Sequence, residues 1–235
     1  PYTITAYRND LISFEEFCKK EFQIPEISNV SYTIIRSWIV ALVENKISNR
    51  SINRKVSSLR SYFNYLLKSK QLEEHPLRKH QSLKVEKRVN VPFSEKEMNE
   101  VLDFFQYADG FELVRDKLII ELLYTTGMRR AELISLKDHS IDLSQSIVKV
   151  IGKRNKERII PLSDSILTSI QSFIYAFDLK EFLITNSKGN KVYSKLVYRV
   201  VRKYLSKITS INKKSPHILR HTFATHMLNN GADIN

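Results

Sequence analysis

The sequence is poor in everything that marks a secreted, fibrous or membrane-bound chain. A single cysteine, Cys18, in 235 residues leaves no internal disulfide and points to a reducing compartment, the cytoplasm. Only five Gly and six Pro argue against collagen-like or low-complexity architecture, and 42% apolar residues argue against disorder. No apolar run reaches the ~18 residues of a membrane span. Leu118, Ile119 and Ile120 are followed at once by Glu121. The stretch from Pro1 to Asp10 lacks the apolar centre of a signal peptide. Glycine-rich phosphate loops, CxxC pairs and an HExxH helix are missing as well. What remains is a cytoplasmic, globular chain of one or two domains, with no membrane association expected.

Acidic residues are the most informative shortage. Lys and Arg number 38 against 25 Asp and Glu, a net charge of +13. Between Phe182 and Ala232 there is no acid at all, while Lys195, Arg199, Arg202, Lys203, Lys214 and Arg220 all fall there. A solvated surface ordinarily mixes both signs, so this stretch implies a face built against phosphates. The bland alternative is a lysine-rich composition with no particular partner.

Helical periodicity organises the first third. Ile4, Tyr7, Leu11, Phe14 and Phe17 recur at helical spacing, and Ile34/Ile35, Trp38/Ile39 and Leu42/Val43 make a second stripe after Ser31. A third runs Ile52, Val56, Leu59, Phe63 and Leu66, and its other face carries Arg50, Arg54, Lys55 and Arg60. That basic face suits a helix laid against DNA, or equally a solvated one. Periodicity then stops across a polar, basic, proline-bounded stretch. The expected division is a helical domain over 1–76, a basic linker over 77–92 and a second domain over 93–235. Ser94 to Glu97 forms a capping box that restarts helix. Val114, Leu118, Ile119, Leu122 and Leu123 mark a buried helix stopped by Gly127. Two β-branched runs, from Ser146 and from Glu157, read as a hairpin with Lys153, Arg154 and Lys156 at its tip. The fold expected is mainly α with a small β-sheet.

Arg129, Lys153, His217 and Arg220 are the residues whose types suit one chemistry. Arginine offers a planar, permanently charged fork for two phosphate oxygens. A lysine on a hairpin tip can protonate a leaving oxygen, and His217 and Arg220 share a helix face at i, i+3. Such a cationic cradle serves phosphoryl transfer without metal. Taken one by one, each residue is more often a surface ion-pair partner or a capped core histidine. His217 and His221 stand at metal-ligand spacing, but Arg220 lies between them and no acid or thiol is near, so no metal or cofactor is expected.

Three ordered motifs sharpen this. Thr126-Gly-Met-Arg-Arg-Ala-Glu-Leu-Ile-Ser-Leu136 resembles the first-arginine motif of the tyrosine recombinases, T-G-x-R-x-x-E-L-x-x-L. Val150-Ile-Gly-Lys-Arg-Asn-Lys-Glu-Arg-Ile-Ile-Pro-Leu162 resembles their catalytic-lysine hairpin. Ser215-Pro-His-Ile-Leu-Arg-His-Thr-Phe-Ala-Thr-His-Met-Leu228 is similar to their H-x-x-R box. The opening from Pro1 to Leu11 looks like the start of their core-binding domain. The resemblance spans the whole chain and is of the Xer and phage-integrase type.

It implies a SAM-like core-binding domain and a mixed catalytic domain that together clamp DNA. Arg129 and Arg220 would hold the scissile phosphate, Lys153 would protonate the departing 5′ oxygen and His217 would assist. Glu132 would be structural. A tyrosine would form a 3′-phosphotyrosyl link, and four like or unlike protomers would assemble on two duplex sites, with an activating partner protein possible. Both Xer-like resolution of chromosome dimers and mobile-element integration or excision fit. The family tyrosine follows the second arginine, and after Arg220 the sequence has none. The expectation is a fragment that binds DNA without cleaving it. The competing reading is a non-catalytic DNA-binding relative acting in regulation or DNA architecture. A Gly-His box and tyrosine encoded beyond Asn235 would favour the enzyme, and a stop codon the binding module.

Overall fold

Amphipathic stripes need a partner surface, and here they find it within two separate cores. The computed structural model describes residues 2–86, 90–152, 155–177 and 181–233. They divide into compact units, Pro1–Arg88 and Val89–Asn235.

The first unit joins α1 (Tyr2–Phe22), α2 (Tyr32–Glu44) and α3 (Asn49–Lys68). Phe14 and Cys18, Ile35 and Trp38, and Ile52, Leu59 and Phe63 meet in its core. The Phe14 and Trp38 rings lie 4.9 Å apart. Ser48 starts α3 by accepting the Ser51 amide. Burial and the nearby Glu15 raise the Cys18 thiol to about 11, so it behaves as a small apolar side chain.

The basic side of α3 is not all open. Asp10, 2% exposed, accepts from Ser58 Oγ at 2.7 Å and pairs with Arg54 and Lys55. Burial pushes its carboxyl up, but the Ser58 hydroxyl and the two cations outweigh this and hold it below the usual carboxylate range. Lys55, expected to face phosphates, is 18% exposed and lies 5.7 Å from the Trp38 ring centre. A buried carboxylate needs cations around it, and that turned Lys55 inward.

The stretch expected as linker begins inside the first unit. Leu77 is buried in its core. Asn53 donates Nδ2 to the Leu83 carbonyl at 2.8 Å and accepts the Leu83 amide on Oδ1 at 2.9 Å. Asn49 donates to the Lys84 carbonyl at 2.8 Å. At residues 83 and 84 side-chain amides take the place of backbone partners, while Arg78 and His80 close short turns on the His75 and Leu77 carbonyls, so no regular period runs through the stretch.

The second unit is built around α5 (Phe111–Thr126), whose consecutive buried residues Leu118, Ile119 and Ile120 show that it is enclosed on all sides. Against it pack α7 (Asp164–Ala176), α8 (Ser194–Ile208) and α9 (Pro216–Asn229), while α4 (Glu95–Asp103) lies on α8. Ser94 and Glu97 cap α4 reciprocally, as their spacing requires. After the short α6 (Arg130–Ile134) comes an antiparallel sheet in the order β1 (Ile141–Asp142), β2 (Ile147–Ile151), β3 (Glu157–Pro161). Val148 faces Ile160 and Val150 faces Arg158. Val148 and Val150 point inward while Lys149 and Ile151 point out, the two-residue alternation of a half-buried strand. The amide of Gly152 closes the hairpin on the Lys156 carbonyl at 2.7 Å.

Replacing Asp10 by Asn should cost the first unit about 2 kcal/mol, because its cations keep partial access to water. A carboxyl lowered on folding contributes stability above its unfolded value near ~3.9 and loses it as the pH falls further. Urea unfolding followed by Trp38 fluorescence should therefore show a flatter acid limb in the Asn variant. Superimposable pH profiles would refute the Asp10 account.

Candidate active site

The turn after α5 sets the site. Gly127 has φ +56°, and a Cβ there would fall 2.2 Å from the Phe223 ring of α9. Only glycine satisfies both the left-handed backbone and that close approach. The turn buries Met128, sends Arg129 outward, and presents the Gly127 carbonyl to the Arg220 guanidinium of α9. One glycine thus locates both arginines.

Glu132, one turn into α6 and 2% exposed, organises the charges. Its Oε2 accepts the Arg129 amide at 2.6 Å and its Oε1 accepts Arg129 Nη1 at 2.8 Å. Arg158 of β3 donates to the same two oxygens, Nη1 at 2.6 Å and Nη2 at 2.9 Å. Burial raises the Glu132 carboxyl, but the bonds from Arg158 and Arg129 outweigh it and hold it below the usual carboxylate range. Gly152, beside the hairpin tip, lies close enough that a Cβ would stand 3.3 Å from Glu132 Oε1.

Ser215 caps α9 by accepting the Ile218 amide, and Pro216 occupies its first turn. That start places His217 and Arg220 on the face turned toward Arg129. Together with Arg130, Tyr198, Ser215 and Pro216 they line a cleft of about 300 Å³ without an acid among the lining residues. Burial, then the like charges of Arg129 and Arg158, lower the Arg220 pKa from its ordinary value, and Glu132 opposes them only in part. Positive charge in excess of its countercharge, held in a concave site, is an arrangement that an anion relieves.

The structure brings Arg129, His217 and Arg220 together in the lining of one cleft. Lys153 and Arg154 lie outside the described residues. Of the cations expected on DNA, Arg50, Arg54 and Arg60 are exposed on α3, and Lys156 is exposed beside the hairpin tip. Lys195, Arg199 and Arg202 form one exposed stripe along α8. Lys203 turns aside to the Tyr204 hydroxyl at 3.1 Å, and Lys214 is half-buried. His221 is occupied elsewhere, donating Nε2 to the Asn90 carbonyl at 3.1 Å. Among the described residues no cluster of His, Cys, Asp or Glu is arranged for a metal ion, and no helix is long and apolar enough to cross a membrane.

Sequence reasoning missed Arg158, Arg130 and Tyr198. Arg158 had a signal, since strand alternation puts it on the same half-buried side as Ile160. A cation on that side of a strand calls for an acid nearby.

Replacing Glu132 by Gln removes the countercharge shared by Arg129 and Arg158. The second unit should lose about 2–3 kcal/mol in urea unfolding followed by circular dichroism, a loss moderated by the solvent access of both guanidiniums. Added sulfate should recover more stability in the variant than in the parent. Equal stability of the two proteins would show that the carboxylate charge does not hold this turn.

Comparison with known proteins now bears on this geometry. Residues 92–235 match the model described as the phage integrase family, and residues 1–70 match the phage integrase N-terminal SAM-like domain. Tyrosine recombinase XerC of Chlorobaculum tepidum is 34% identical over 99% of this chain and 78% of the relative. Tyrosine recombinase XerC of Staphylococcus epidermidis is also 34% identical, over 99% of this chain and 79% of its own length. The fold is shared with the Tn1549 transposon integrase solved with transposon right end DNA, at TM-score 0.81 and 20% identity, covering 99% of this chain and 82% of that one. It is likewise shared with the XerH site-specific recombinase bound to palindromic difH substrate, at TM-score 0.79 and 19% identity over 98% of this chain and 70% of that one. The chain belongs to the phage integrase family and is a tyrosine recombinase of the Xer type.

Proposed function

We propose that the cleft holds one phosphodiester of duplex DNA for site-specific strand cleavage and rejoining. Arg129 and Arg220 grip its non-bridging oxygens, His217 stands beside them, and Lys153 delivers a proton to the departing 5′ oxygen. The observation that carries this reading is the convergence of two guanidiniums, one from the α5–α6 turn and one from α9, in a cleft lined by no acid. During transfer, negative charge accumulates on the non-bridging oxygens, and preplaced cations stabilise it without reorganising. The attacking tyrosine oxygen forms its bond to phosphorus as the phosphorus–O5′ bond breaks, and the phosphotyrosyl link keeps the energy needed for rejoining.

Arg50, Arg54, Arg60, Lys156 and the α8 stripe would hold the flanking duplex through its phosphates. Four copies on two sites, alike or paired with a second recombinase, complete the proposal, with the cytoplasm as the place of action. No tyrosine follows Arg220 in these 235 residues, so this polypeptide by itself is expected to bind duplex without forming an adduct.

Binding should weaken steeply with salt, log affinity falling by about 0.9 per phosphate contact for each decade of salt. A flat response would remove the phosphate-facing role of these cations. In the full gene product, Arg220→Ala should abolish covalent adducts on a suicide duplex while binding largely survives. Adducts formed at the parent rate would exclude Arg220 from the reaction.

A further inference from the structure

The cleft is larger in its chemistry than the two arginines need. Arg130 and Tyr198 also line it, one at the start of α6 and the other from α8, and these two helices pack together. Both side chains are exposed. Among the described residues no acid pairs with Arg130 and nothing hydrogen-bonds the Tyr198 hydroxyl. Their neighbours are engaged otherwise. Arg129 is tied to Glu132, Arg220 to the Gly127 carbonyl, Tyr193 to Arg199 and Tyr204 to Asp116 and Lys203. A free guanidinium and a free phenol facing one basic cleft make a donor pair with no acceptor of its own.

We infer that Arg130 and Tyr198 form a subsite for the phosphodiester next to the one held by Arg129 and Arg220. A nucleic-acid strand brings its next phosphate on a short covalent tether, so a second donor pair beside the first raises affinity through effective concentration. Arg130 supplies the charged fork and Tyr198 a neutral donor toward the same oxygens. The stripe of Lys195, Arg199 and Arg202 continues from Tyr198 along α8, so the strand leaves this subsite onto further cations. The cleft then reads a short run of backbone and fixes the direction in which the strand crosses the arginine pair.

This inference rests on the proposed function, and the test separates the two. The 235-residue chain is titrated with the dinucleotide TpT and the trinucleotide TpTpT, following the arginine side-chain resonances by NMR. With the subsite, TpTpT binds about tenfold more tightly than TpT, well beyond the roughly twofold expected from its two equivalent linkages. Arg130→Gln should reduce that ratio to about two while leaving TpT affinity within a factor of two. Tyr198→Phe should weaken TpTpT about threefold. It should leave the salt dependence unchanged, whereas Arg130→Gln flattens it by the share of one phosphate contact. A ratio of two in the parent, or equal losses for both ligands in Arg130→Gln, would overturn the subsite while the arginine pair stands. Binding of TpT that does not respond to Arg220→Ala would instead overturn the proposed function, and the subsite with it.

Discussion

Everything at the candidate site depends on one buried carboxylate. Arginines repel one another, and bringing Arg129, Arg158 and Arg220 into one neighbourhood is unfavourable without a fixed countercharge. Glu132 supplies it from a buried position, with both oxygens used twice. It binds the side chain and the amide of Arg129, so the same group fixes the backbone and the guanidinium. Through Arg158 it also ties the sheet to the turn, with Gly152 beside the hairpin tip close against it. The carboxylate is full. It neutralises part of the positive charge and leaves the remainder for an anion.

The same logic recurs in the first unit at smaller scale. Asp10 is buried under α3 and draws Arg54 and Lys55 toward it, taking one of them out of the solvent-facing set. Counting basic residues on a helical face therefore overestimates what is available to a partner. The useful number is the count after internal acids are satisfied.

How much was legible in the sequence follows from range. Local signals held: the Ser94–Glu97 capping box, the Gly127 helix stop and the alternation of Val148 and Val150 all act within a few residues. The convergence of Arg129 with His217 and Arg220 could be anticipated only through motif resemblance, since nothing local connects a turn to a helix some ninety residues on. The two-residue β1 is too short to show a period. Residues 77–84 escaped for a different reason. Their order comes from short turns at Arg78 and His80 and from Asn49 and Asn53 side chains at residues 83 and 84, and hydrophobic patterning records neither. Arg130 drew no reading of its own, because sequence does not show whether a cation has already found its acid.

The segment that enters the second unit is fastened to α9. The Phe93 amide bonds to Thr222 Oγ1, the Phe93 carbonyl accepts from His226, and the Asn90 carbonyl accepts from His221, across sequence separations of 129, 133 and 131 residues. The contacts of the first unit, by contrast, close within residues 10–84. During synthesis the first unit can complete its core as soon as it clears the ribosome, whereas the second waits for residue 226 before its opening segment has a partner. The arginine cleft is therefore assembled only after the helical unit ahead of it has folded.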